Sequence, residues 1–275
     1  MALASLRALA CVAVLVLASC SSGDDTTVVG RAGRDNKLTI GVAFDQPGLG
    51  VRRMDGVLKG FDIDVARYVA TELGVEESGI TWVEVSPPER ENMITSGRVD
   101  FVVTGYSITP KRKEVIDFVG PYFIAGQDLL VRMDDTRVTG PESLAQDGVR
   151  LCSTQGSTSA QHVIDEYAPG GRLVEYPQFS DCVTALLAEN VDALTTDDVI
   201  LAGYAAQNPE VLRVVGKPFS KEEYGIGLRK GDTASKTKIT EAVRKMMTSG
   251  EWRKSLEANI GRSGYKIPEP PELVP

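Results

Sequence analysis

Hydrophobic spacing switches repeatedly between a period of two and a helical period along this chain, and that alternation restricts the fold more than any other feature. Leu38, Ile40, Val42 and Phe44 sit at period two, as in a half-buried strand. From Asp62 the pattern becomes Val65, Ala66, Val69 and Leu73, a helical spacing closed by Gly74 as a C-cap. A strand over 81–85, a short helix over 89–96 ended by Gly97 and a strand over 99–104 follow. Strands alternating with helices predict an α/β fold whose open, largely parallel sheet is covered by helices. A second series of similar size then begins, with strands at 149–152, 173–176 and 191–195. Its helices fall at 157–167, 180–188 (capped by Ser180) and 198–207. Strands at 211–215 and 224–228, helices at 234–248 and 251–260, and a loose tail marked by Pro268, Pro270, Pro271 and Pro275 complete the pattern. Two series predict two lobes rather than one long sheet.

The N-terminus reads as an export signal. Arg7 supplies a positive charge, and the apolar run over 8–18 is shorter than the ~20 residues that span a bilayer. Leu17-Ala18-Ser19-Cys20 resembles the bacterial lipobox, so residues 1–19 are expected to be cleaved and Cys20 acylated as the mature N-terminus. A plain signal peptide or a short membrane anchor is the alternative. The acyl chains on a lipobox cysteine hold a protein stably at a membrane. Residues 20–36, opening Ser21-Ser22-Gly23-Asp24-Asp25, read as a flexible tether. The expected location is therefore the outer face of the cell membrane, with a soluble body. Cleavage removes Arg7 and takes the formal net charge from −8 to −9, which leaves no basic face for nucleic acid.

Cysteine use fits export. Cys11 leaves with the signal and Cys20 takes lipid, so Cys152 and Cys182 remain, most simply as a disulfide in an oxidising compartment. Metal binding is the rival reading, but two thiols and one distant histidine, His162, cannot complete a tetrahedral site. Neither a metal nor a cofactor is expected.

Catalytic chemistry is poorly supplied: no Gly-x-Ser-x-Gly elbow, His-Glu-x-x-His pair or phosphate-binding Gly-Lys-Ser/Thr loop occurs. The acid pairs Asp62/Asp64 and Asp197/Asp198 stand at helix starts, where such pairs ordinarily serve as caps and dipole partners. The positions just beyond strand ends, where α/β sheets bind ligands, look different. After Thr104 come Gly105, Tyr106, Ser107 and, near a helix start, Arg112, a guanidinium fork with hydroxyl and backbone donors suited to a carboxylate. After Cys152 come Gly156-Ser157-Thr158, opening a helix whose free N–H groups favour an anion. After Thr195 comes Asp197, suited to an ammonium group. Two anion sites and one cation site describe an α-amino acid.

Gly60-Phe61-Asp62-Ile63-Asp64-Val65-Ala66 resembles the signature of family 3 extracellular solute-binding proteins, the polar amino-acid receptors of bacterial ABC transporters. Asp100-Phe101-Val102-Val103 through Arg112, with Ile116-Asp117-Phe118 and Pro121-Tyr122, is similar to its central motif, and the likeness runs from about residue 37 to 260. The flavour of Asp45-Gln46-Pro47-Gly48-Leu49-Gly50 and of Asp192-Ala193-Leu194-Thr195-Thr196-Asp197 is that of actinobacterial glutamate-binding lipoproteins. The resemblance implies a periplasmic-binding-protein fold: two α/β lobes joined by two crossing strands, closing on ligand in the cleft. Residues 37–126 and 222–262 would form lobe 1, 127–221 lobe 2 and 263–275 the tail.

The same resemblance gives the site residues their roles. Arg112 would hold the α-carboxylate with Ser107, Ser157 and Thr158, while Asp197 and the Gly105 carbonyl would take the ammonium. Arg90 would meet a distal carboxylate, with Arg52 in the glycine-rich loop as a second candidate. Gln46-Pro47-Gly48 stands where many members carry a stacking ring, and Phe44 or Tyr106 could replace it. The implied function is a monomeric, non-enzymatic receptor that captures an amino acid, glutamate first and glutamine or aspartate next, for an ABC permease. A sensory module presenting its closed form to a membrane receptor, and a dehydratase or wall-active lyase on the same scaffold, are the other classes.

Overall fold

Two five-stranded sheets, each covered by helices, organise the protein. The computed structural model describes residues 26–274. The signal segment, Cys20 and the start of the tether lie outside the described residues.

The tether expected over 20–36 is interrupted by a helix, α1 (Val28–Asp35), which buries Val28 and Ala32. Its first-turn N–H groups are taken by other parts of the chain: Val28 donates to Asp232 Oδ2 at 2.9 Å and Val29 to Ser235 Oγ at 3.0 Å. Strand β1 (Leu38–Val42) follows, then a small three-stranded sheet of β2 (Asp45–Gln46), β3 (Gly50–Arg52) and β4 (Leu58–Lys59). Helix α2 (Phe61–Glu72), β5 (Ile80–Glu84), α3 (Arg90–Thr95), β6 (Phe101–Val103), α4 (Pro110–Lys113) and the long β7 (Ile116–Ala125) complete the first pass through this lobe. Gly60 starts α2 at φ +141°, where a Cβ would lie 2.0 Å from the Leu49 carbonyl oxygen. Only glycine fits there, and the turn it makes points Asp62 inward.

At Gly126 the chain enters the second lobe with β8 (Gln127–Arg132). There follow β9 (Arg150–Thr154), α5 (Thr158–Glu166), β10 (Arg172–Tyr176), α6 (Phe179–Leu187), β11 (Ala193–Asp197), α7 (Asp198–Gln207) and β12 (Leu212–Val214). It returns to the first sheet as β13 (Glu222–Arg229), followed by α8 (Thr233–Thr248) and α9 (Glu251–Ile260). The strand orders are β5-β1-β6-β13-β7 and β10-β9-β11-β8-β12. In each sheet three strands run parallel, as the helical crossovers require. The strands that enter and leave the crossing, β7 with β13 and β8 with β12, run antiparallel.

Some expected details are corrected. Ser180 lies inside α6 rather than at its cap, and its N–H donates at 3.2 Å to Asp45 Oδ2, contributed by the first lobe. The tail is not loose. Tyr265, Ile267 and Leu273 pack on the core, and Val274 pairs with Gly120. The disulfide is present, joining Cys152 on β9 to Cys182 on α6. Among the described residues no helix is long and apolar enough to cross a membrane.

Candidate functional site

A narrow cavity lies where the carboxyl ends of β6, β9 and β11 face one another across the two lobes. Seven of the expected residues line it: Arg90, Gly105, Ser107, Arg112, Ser157, Thr158 and Asp197.

Arg112 is placed by a four-residue helix whose cap, Thr109, accepts the Arg112 N–H on its hydroxyl at 3.2 Å. Its guanidinium donates to the Ser107 carbonyl at 2.8 Å and, across the cleft, to the Gly156 carbonyl at 3.1 Å. On its outer edge Nε lies 3.3 Å from Glu91 Oε1. Arg90 comes from the first turn of α3 and donates to the Thr104 carbonyl at 2.8 Å. It is buried, and its Nε has no partner among the described residues. Burial, then repulsion from Arg112, lowers its pKa. Both guanidinium carbons lie over the Tyr106 ring, at 4.9 Å for Arg90 and 4.8 Å for Arg112. Tyr106 is thus a buried platform for both cations, an arrangement that partly offsets their desolvation.

From the second lobe, Ser157 caps α5 by accepting the Ser159 N–H at 3.2 Å, and Thr158 begins the helix. Asp197 ends β11 and precedes α7. Its Oδ2 accepts from Tyr224 at 2.5 Å, while Oδ1 is buried without a partner among the described residues. Burial, followed by the nearby Glu222 charge, pushes its carboxyl up to about 7. The cavity therefore joins two buried guanidinium groups to one buried carboxyl.

Asp62 is not the helix cap that its position suggests. It is fully buried, accepting from the Gly105 N–H at 2.7 Å and from Tyr122 Oη at 2.8 Å, and burial raises it to about 7. Gly105 itself sits at φ +55°, and a Cβ there would press on the Tyr224 ring at 3.3 Å. His162 is satisfied, with Nδ1 2.7 Å from Gln127 Oε1.

Three expected candidates do not line the cavity, Tyr106 because it lies beneath the two guanidinium groups. Arg52 lies over the Phe44 ring at 5.6 Å instead. Gln46 is buried beside Phe44 in an adjoining cavity that shares Pro87 and Phe179 with the main one. Phe179, at the start of α6, is the aromatic wall that sequence reasoning missed, along with Pro87 and Ile200. A single ring at a helix start carries no signal distinguishing it from core.

Known proteins resemble this chain over most of its length. The family described as bacterial extracellular solute-binding proteins, family 3, matches residues 38–262. The glutamate-binding protein GluB of Corynebacterium efficiens is 40% identical over 276 residues, covering 97% of this chain and 93% of its own. The ABC transporter glutamine-binding protein GlnH of Bacillus subtilis is 34% identical over 258 residues, covering 90% of this chain and 93% of its own. Among solved structures, an ancestral arginine-binding protein bound to glutamine is similar with a TM-score of 0.76 and 34% identity, covering 82% of this chain and 98% of its own.

Proposed function

The chain belongs to family 3 of the bacterial extracellular solute-binding proteins, a receptor family, and from that premise we propose that it captures glutamate for an ABC importer. The observation that carries the choice of ligand is charge matching. Two buried guanidinium groups and one buried carboxyl face one cavity, the complement of a ligand with two carboxylates and one ammonium group. Arg112, with Ser107, Ser157 and Thr158, holds the α-carboxylate. Asp197 Oδ1 and Gly105 take the ammonium group, and Arg90 takes the distal carboxylate. The similarity to glutamate-binding proteins at 40% identity supports the same ligand. Lipid on Cys20 keeps the receptor beside its permease, an assignment that mass spectrometry of the mature N-terminus checks.

Calorimetry on two variants tests the site. Removing one member of a buried charge pair costs on the order of 2–5 kcal/mol. Arg112→Ala is expected to abolish measurable amino-acid binding, and near wild-type affinity in that variant would sink the assignment. Arg90→Ala is expected to weaken glutamate far more than glutamine, and equal losses would remove Arg90 from the distal role.

A further inference from the structure

Tyr224 reaches both halves of the proposed ammonium subsite. It lies on β13, fully buried, and donates its hydroxyl to Asp197 Oδ2 at 2.5 Å. Its ring stands directly behind Gly105, within 3.3–3.4 Å of where a Cβ would be. The backbone around it is fastened to the same loop: Tyr224 forms a bridge with Ser107, Ile108 N–H donates to the Glu223 carbonyl and Gly225 N–H to the Tyr106 carbonyl. Neighbouring rings of Tyr122 and Phe123, with centroids at 6.1 and 5.6 Å, hold it in place.

We propose that Tyr224 is the positioning residue for α-ammonium recognition, engaging Asp197 Oδ2 so that Oδ1 faces the ligand, and fixing Gly105 from behind. This rests on the amino-acid-receptor reading and deepens it. A carboxylate has two oxygens of equal basicity and would otherwise be free to present either one. Once a tyrosine from the opposite lobe engages one oxygen, the other is left for the ligand, and the carboxylate's rotation is fixed.

Electrostatics gives the hydroxyl a second task. Glu222 on β13 and Asp198 on α7 oppose ionisation of Asp197, while Arg90 on α3 favours it. Tyr265, from the segment after α9, bonds Asp198 and lies close enough for the Asp197 charge to oppose its own ionisation. The Tyr224 hydrogen bond favours the ionised form, the only one that pairs with an ammonium group.

The test is Tyr224→Phe, which keeps the ring and removes the hydroxyl. Glutamate affinity is measured by calorimetry across the range about one pH unit either side of neutrality, where a carboxyl near 7 titrates. The expected result is a loss of roughly tenfold or more at neutral pH. The pH of half-maximal affinity should also move upward. Glutarate, which has both carboxylates and no ammonium group, serves as a competing probe, and its affinity is expected to stay near that of the wild type. A Tyr224→Phe protein with unchanged glutamate affinity overturns the inference. So does a pH-independent loss shared equally by glutarate, because that is what a merely structural residue would give. Binding of neither compound by the wild-type protein would instead overturn the glutamate assignment on which the inference rests.

Discussion

Asp197 is a carboxyl that the folded protein makes hard to ionise, and its ligand would make it easy again. Burial raises it from 3.8 to about 7, so between those values the folded chain holds a proton that the unfolded chain has released. Stability therefore falls as pH rises from about 4 to 7, and the loss persists above that range. Replacing the carboxyl with an amide removes the penalty. Asp197→Asn is expected to be more stable than the wild type at pH 8 by a few kcal/mol, since each tenfold change in proton affinity is worth roughly 1.4 kcal/mol, and to bind no glutamate. Differential scanning calorimetry at pH 4 and pH 8 checks the sign: the gain should vanish at the acidic end. An ammonium group beside Asp197 lowers its pKa, so glutamate capture below neutrality should release a proton. Affinity should rise with pH until about 7 and then level. Titration in buffers of different ionisation enthalpy reads that proton directly.

At the scale of elements, the second lobe depends on a staple. The Cys152–Cys182 bond closes a loop of 30 residues between β9 and α6, the helix whose start brings Phe179 to the cavity. Loop-entropy reasoning gives it on the order of 3 to 4 kcal/mol. Replacing both cysteines with serine is expected to lower the melting temperature by several degrees and to weaken ligand binding, because Phe179 loses its fixed support. An unchanged melting curve would show that packing alone holds α6. Much of this level was legible in the sequence. Spacing alone placed α7 and α9, and the loop from Gly105 to Arg112 was found because ligand-binding residues gather where parallel strands end. Other features were not readable. Tyr224 looks like one more apolar strand residue, since its partner lies 27 positions away on another sheet. The helix α1 carries only two buried side chains, and beside its own Thr27 cap it draws on Asp232 and Ser235 at the start of α8, a long-range dependence that no local pattern encodes. The proline-rich tail reads as loose because proline withholds backbone donors, yet Val274 still pairs with Gly120.

At the scale of the molecule, the two lobes meet through contacts flanking the cavity. Gln178 Nε2 donates to Glu84 Oε1 at 2.7 Å and Tyr204 Oη to the Asp45 carbonyl at 2.6 Å, each bond linking one lobe to the other. Contacts of this kind can form only when the lobes approach, so a ligand that engages both lobes shifts the population toward the closed form. Adding glutamate is expected to reduce the radius of gyration in small-angle scattering and to raise the melting temperature, as any ligand specific for the native state does. Aspartate and glutamine should do so less. Identical scattering curves with and without glutamate would argue against closure on ligand. The tie between Tyr265 and Asp198 Oδ1, at 3.1 Å, lies beside the Gly126 crossing, since Gly126 N–H donates to the same oxygen at 3.2 Å.

The anchoring of α1 has a mechanical consequence. Its first turn is bolted to α8, and Arg31 reaches Asp100 at 2.9 Å, so the segment nearest the proposed lipid attachment is welded to the first lobe alone. The far end of the described chain, at Val274, is fastened to that lobe as well. With Cys20 acylated, a pull from the membrane would load the first lobe, to which α1 is bonded. If the lobes close on ligand as proposed, the body carrying β8 to β12 would be the moving jaw, and a leash attached there instead would brake it.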